Sequence, residues 1–171
     1  ILPSPPREDR EVDAVIAAVE GATEQQKKDY ANCDKDASFY VKEYMRKNSL
    51  EHDEDIVEYI EEQCSPIIRH YKNHFNRPRP YQVADLYNKE LNRFKTGTAK
   101  TPAYPSGHAC QPMVVALYYA KKYPEHKNEL VRGAKICGYG RVVAGLHYPS
   151  DYDAGIELAH KLMDFMNYEK F

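Results

Sequence analysis

Apolar residues recur at three- and four-residue intervals along most of this chain, and the alternating Val, Ile and Thr runs of strands are missing. The pattern therefore predicts helices. From Arg7 to Glu20, Val12, Val15, Ile16 and Val19 share one face, and Gly21 ends the segment. A second helix is predicted from about Thr23 to Lys47, with Tyr30, Cys33, Ala37, Tyr40, Val41 and Tyr44 inward. A third runs from His52 to Phe75 on Ile56, Tyr59, Ile60, Ile67, Ile68 and Tyr71, with a kink expected at Pro66. Asn76 to Pro105, rich in Pro, Asn and Thr, reads as loop with one short helix near Ala84 to Leu91. Ser106 should cap a helix to about Tyr123, and Pro124 should open another to about Gly145. Ser150, with Asp153 three residues on, should cap the last, from Asp151 to Tyr168. The fold class predicted is all-α: a single-domain bundle of about six helices spanning residues 1–171.

Composition narrows the function classes. With 29% charged residues and a net charge of −2, no overall field favours a polyanion, so nucleic acid is not an expected partner. Hydrophobic residues reach 42%, but 15 of the residues are Tyr, and the longest apolar run, Met113 to Ala120, is too short for a transmembrane helix. Cys33, Cys64, Cys110 and Cys137 form no pair at metal-ligand spacing, so no metal site is expected. Cysteines in helical apolar stretches are more often small core residues than bridges, which leans toward reduced thiols and a cytoplasmic setting. A removed leader would instead make the protein periplasmic or secreted.

Three short patterns carry candidate chemistry. Pro105-Ser106-Gly107-His108 lies where a Pro-rich loop becomes an apolar helix, so its unpaired amides form an anion site and His108 can hand a proton to a leaving group. Arg141, His147 and Asp151 follow at fixed spacings. An imidazole attacks phosphorus through one nitrogen when an acceptor such as Asp151 holds the proton of the other. Lys72 and Arg79-Pro80 add a point charge and a planar fork for phosphate oxygens. Alone each pattern has a bland reading: a capped helix, surface ion pairs, a basic Pro-rich linker such as Arg77-Pro78 beside it. His70 and His74, four apart on one helix, read as helix surface rather than a metal pair, and Cys110 as a buried small residue. Tyr104 and Tyr148 flank the motifs and are candidates for a pocket wall.

Together, the order Lys-x6-Arg-Pro, Pro-Ser-Gly-His and Arg-x5-His-x3-Asp between Lys72 and Asp151 resembles the signature joining type 2 phosphatidic acid phosphatases, class A acid phosphatases and vanadium haloperoxidases. One specified tetrapeptide alone should arise on the order of once in 10⁵ positions. His147 through Gly155 looks like the soluble phosphatase branch, while residues 7–65 match only as helices. The resemblance implies a phosphate clamp of Lys72, Arg79, Ser106, Gly107 and Arg141. It makes His147 the nucleophile, His108 the acid and then base, and Asp151 the orienter of His147. The implied activity is metal-independent hydrolysis of phosphomonoesters through a phosphohistidine, with a small phosphorylated substrate, inorganic phosphate as product and no required cofactor. Vanadate is expected to bind as an inhibitor. The alternatives are a vanadium-dependent haloperoxidase, in which vanadate is the cofactor, or a lipid phosphate phosphatase acting from the aqueous side. The length of the chain speaks against the former and the lack of spanning segments against the latter's usual form. Gly140 stands where the family usually has Ser, which should weaken phosphate binding.

Overall fold

The computed structural model describes residues 1–166 and contains, among them, eight α-helices and no strand. After a 3₁₀ turn at Glu8–Arg10 come α1 (Val12–Glu20), α2 (Glu24–Lys35), α3 (Phe39–Lys47), α4 (Glu54–Phe75) and α5 (Pro80–Leu86). Then follow α6 (Gly107–Lys122), α7 (Lys127–Val143, after a 3₁₀ turn at Pro124–His126) and α8 (Pro149–Phe165). The all-α class stands, and the higher helix number has local causes. The predicted 23–47 helix is two, because the Asp36 carboxylate accepts from the Ser38 N–H and a local turn replaces the helical ladder. The short helix begins at Pro80, where proline's fixed φ suits a first position, and it ends before Leu91. α4 runs without interruption through Pro66.

The sequence reading also misplaced the start of α8. Pro149 takes the first helical position, so Tyr148 rather than Ser150 is the N-cap, and the Asp151 carboxylate reaches back to the Tyr148 N–H at 2.8 Å. Asp153 is left exposed. The predicted stretch of this helix beyond residue 166 lies outside the described residues.

α6 is the centre of the bundle. Ala109, Cys110, Pro112 through Leu117, Tyr119 and Ala120 are all buried, leaving little polar face, and α4, α7 and α8 pack around it. Cys33 on α2 and Cys137 on α7 form a disulfide, with Cα atoms 5.3 Å apart, while Cys64 and Cys110 are buried thiols. This corrects the reduced-core expectation and removes its basis for a reducing compartment. The apolar faces of α2 and α7 that made both cysteines look like core residues are the faces that meet, so burial and bridging coincide. Among the described residues, no helix is long and apolar enough to cross a membrane.

Candidate active site

The site forms where the N-terminal ends of α5, α6 and α8 meet the C-terminal ends of α4 and α7. α7 stops in a Schellman turn: Gly145 takes φ +79°, its N–H donates to Val142 O at 3.0 Å, and the Leu146 N–H donates to Arg141 O at 3.0 Å. The reversal carries the chain from Arg141 back to His147, which is the structural meaning of the five-residue spacing. Pro149 then starts α8, so Asp151 lies four residues after His147 and beneath it. A second glycine sets the depth of the site. A Cβ on Gly155 would stand 2.6 Å from Ser106 O and 2.7 Å from Ala109 Cβ, so its absence lets α8 press against the start of α6. There the Ser106 N–H donates to the Asp151 backbone carbonyl at 3.0 Å.

His147 is 3% exposed and Asp151 fully buried. Nδ1 of His147 lies 3.1 Å from Asp151 Oδ2, and Nε2 lies 2.9 Å from Arg79 Nη1. A guanidinium only donates, so Nε2 accepts and the ring proton sits on Nδ1, directed at Asp151. Burial, followed by Arg79, Lys72 and Arg141, holds the His147 pKa well below its usual value, which keeps the ring neutral. The ring thus offers one lone pair toward the cations.

Those cations converge on His147. Lys72, Arg79 and Arg141 are 7%, 3% and 1% exposed. Burial, then Arg79 and Arg141, brings the Lys72 ammonium down to about 7, and burial brings Arg79 down to about 10. Oxygens of the 98–102 segment accept from all three. Lys72 donates to Pro102 O at 2.7 Å, Arg79 Nε to Thr101 O at 2.8 Å, and Arg141 Nη2 to Thr98 Oγ at 2.8 Å. Ser106 is the N-cap of α6, its Oγ accepting from the Ala109 N–H at 3.3 Å, and Gly107 opens the helix with an N–H that has no acceptor within it. His108 lies in the first turn. Its imidazole hydrogen-bonds to the Cys33 backbone, and burial, then Arg141, with Lys72 adding to it, pulls its pKa down to about 3.

Two functional residues escaped the sequence reading. Asp34 on α2 pairs with Arg141 at 2.7 Å; burial raises its pKa, yet Arg141 and Thr96 together bring it below the ordinary value. No motif marks it, since it is one acid on a polar helix. Arg77, set aside as part of a basic linker, is buried and donates to Asp151 Oδ1 at 2.7 Å. Its signal was its place two residues before Arg79. Tyr104 and Tyr148 are buried behind the site rather than lining an open wall: Arg77 stacks 4.0 Å over the Tyr148 ring, and Tyr104 donates to Pro3 O at 2.6 Å. A Cβ at Gly140 would meet Tyr30 Cα at 3.8 Å, so a side chain fits there between α7 and α2. His70 and His74 are exposed on α4, and among the described residues no three His, Cys, Asp or Glu side chains form a metal-ligand set.

A polar cleft of about 400 Å³ beside Arg79, with Tyr81, Gln82, Lys100 and Thr101 on its walls, is the opening nearest the clamp. A larger one of about 640 Å³, bounded by Gln26 and Asp29 of α2 and Ile136, Tyr139 and Val143 of α7, contains none of the expected site residues. Chemistry, not size, therefore locates the site.

The sequence profile of the PAP2 superfamily matches residues 63–160, more than half of the chain, and that range takes in the whole constellation from Lys72 to Asp151. An acid phosphatase of Zymomonas mobilis subsp. mobilis is 37% identical over 89 residues, covering 52% of this chain and 33% of that protein. A non-specific acid phosphatase of Salmonella typhimurium is 35% identical over 86 residues, covering 49% and 33%. One from Providencia stuartii is 31% identical over 98 residues, covering 56% and 38%. The matches span about a third of the length of these curated relatives. Among solved structures, a transmembrane PAP2-type phosphatidylglycerolphosphate phosphatase from Bacillus subtilis shares the fold, with a TM-score of 0.61 over 92% of this chain and 83% of that one at 18% identity. By the extent of the profile match and the site it encloses, the chain belongs to the PAP2 superfamily.

Proposed function

We propose that the protein hydrolyses phosphomonoesters through a phosphohistidine on His147, without a metal. The observation that carries this reading is the setting of His147: Nδ1–H directed at Asp151, and the Nε2 lone pair directed at Arg79 among three buried cations. An ester phosphate drawn into the clamp would take the donors now used by Thr98, Thr101 and Pro102, and its phosphorus would come before Nε2. Nε2 forms the P–N bond as the P–O bond to the alcohol breaks, and His108 gives its proton to the departing oxygen. His108 then takes a proton from water as the water oxygen attacks phosphorus, the P–N bond breaks and phosphate leaves. A loose phosphoryl transition state mainly needs in-line placement and fixed positive charge, which Lys72, Arg79 and Arg141 provide. The similarity to acid phosphatases supports the reaction class.

The test is turnover of p-nitrophenyl phosphate, then of a panel of nucleotides, sugar phosphates, diphosphates and short-chain phosphatidate, all with EDTA present. Hydrolysis that survives the chelator and is inhibited by orthovanadate competitively with phosphate is the expected result. Loss of activity on chelation with recovery on adding zinc or magnesium would overturn the metal-free mechanism. Phosphate binding without turnover would make the site a binding module. Peroxide-dependent bromide oxidation after vanadate loading would make it a haloperoxidase.

A further inference from the structure

We infer that Arg77, braced by Glu11, is a positioning residue for this site: it keeps Asp151 an anion and thereby keeps the His147 proton on Nδ1. This deepens the proposed role of His147 and rests on it.

Asp151 is fully buried, and its two carboxylate oxygens have different duties. Oδ2 accepts from Tyr148 N–H and faces His147 Nδ1, while Oδ1 accepts from Arg77 Nη1 at 2.7 Å. A carboxyl sealed from water tends to take up a proton. Once protonated, Asp151 has lost the charge that favours a proton on Nδ1, and when phosphate draws Arg79 away from Nε2 the imidazole proton is free to move there. That closes the lone pair on which attack depends. Arg77 is the cation in direct contact with Asp151, and both of its terminal nitrogens are engaged there, at Ser150 and in the 6–11 segment. Nη1 also reaches Ser150 Oγ at 2.7 Å, and Nη2 reaches Pro6 O at 2.9 Å and Glu11 Oε2 at 2.8 Å. Glu11 in turn accepts from the Ser150 N–H at 2.9 Å and from the Ser150 hydroxyl.

The bracing ties the 6–11 segment to the start of α8. These residues lie ahead of the 63–160 profile match, so they would not be assigned to the site by resemblance.

The groups that act on Asp151 from each packed element can be named. Arg77 comes from the connection between α4 and α5, Lys72 from α4 itself, Arg79 from the start of α5, Tyr104 from the segment before α6, and His147 and Tyr148 from the turn into α8. Glu11 stands beyond Arg77. Burial brings Asp151 up to about 7 against the pull of Arg77, the Tyr148 N–H and Lys72.

Glu11 and Arg77 carry opposite charge, so neutralising them should displace Asp151 in opposite directions, which a merely structural ion pair would not require. The experiment is an NMR titration of the Asp151 carboxyl carbon in the full chain, with the ring nitrogens of His147 followed alongside. Arg77→Gln should raise the Asp151 midpoint by about one unit or more, Glu11→Gln should lower it, and Arg77→Lys, which keeps the charge, should stay near the parent value. In Arg77→Gln with phosphate bound, at about pH 7.5, between the parent Asp151 midpoint near 7 and the raised one, the His147 nitrogens should report more loss of the Nδ1–H tautomer than in the parent. In the enzymatic assay, the acid limb of kcat should follow the midpoint, with KM changed by no more than about twofold. If Arg77→Gln does not fold, the sign of the Glu11→Gln shift still decides. Midpoints that stay fixed, or that move the same way in both neutralised variants, would overturn the inference. Because the titration is read without turnover, a parent protein that hydrolyses nothing would count against the proposed function and leave this result to stand or fall separately.

Discussion

His108 shows how far a residue's chemistry depends on what occupies the clamp. Burial and the neighbouring Arg141 and Lys72 leave it with a pKa of about 3, too low for a general acid near neutrality. A phosphate dianion would offset those cations and restore proton affinity to the ring, so the acid is created by the substrate it serves. The His108 ring proton signal should titrate near 3 in the free protein and rise by roughly two units or more with phosphate or vanadate bound. A midpoint indifferent to both ions would remove His108 from the site. The same lowered pKa has a stability consequence. The folded state binds this proton less readily than the unfolded state, so the stabilising contribution is complete above about pH 6.5 and is lost as pH falls toward 3. His147, also lowered, acts in the same sense, whereas the raised Asp151 carboxyl contributes below its ordinary range and loses that contribution as pH rises through about 7. Apo protein should therefore become acid-labile below pH 6, with phosphate slowing the loss.

At the level of helices, the site is a matter of close approach. A methyl group on Gly155 would press on the Ser106 carbonyl and Ala109 Cβ, neither of which can swing aside. Gly155→Ala should cost about 1–3 kcal/mol in urea denaturation and reduce kcat by separating His108 from His147. Gly140→Ala meets only Tyr30 at ordinary distance, and it should instead stabilise α7 by about 0.4–1 kcal/mol. Equal effects of the two substitutions would contradict the packing described. This contrast also marks what was legible in the sequence. Helical periodicity located the apolar faces, and the motif spacings located Lys72, Arg79, Ser106, Gly107, His108, Arg141, His147 and Asp151, because each spacing reflects a local turn or cap. Asp34, Glu11 and Arg77 were not legible as site residues. Their partners lie 107, 66 and 74 residues away in the chain, and of the three only Arg77, two residues before Arg79, has a local signal. The pairing of Cys33 with Cys137 was hidden for the same reason, since periodicity shows that a helix has an inner face but not which helix it meets.

Across the whole molecule, the disulfide joins stability to the site. It closes a 104-residue separation between α2 and α7, for which chain entropy gives roughly 4–5 kcal/mol. Cys33 precedes Asp34, and its backbone hydrogen-bonds to His108, while Cys137 lies one helical turn before Arg141. Reduction, or a Cys33→Ser/Cys137→Ser double variant, should lower Tm by about 10 °C or more and weaken phosphate binding as Arg141 loses its fixed seat. A Tm unchanged in the double variant would show that the bridge does not stabilise the fold. The central claim is that His147, and not His108, carries the phosphoryl group. The most direct measurement is rapid acid- and base-quench trapping of the phosphoenzyme from an activated ester in the parent, His108→Ala, His147→Ala and Asp151→Asn proteins. The account predicts an acid-labile, base-stable phosphoprotein that accumulates in His108→Ala and is absent from His147→Ala. In Asp151→Asn it should form more slowly by about 10²- to 10⁴-fold. Label found on His108, or full activity in His147→Ala, would contradict it.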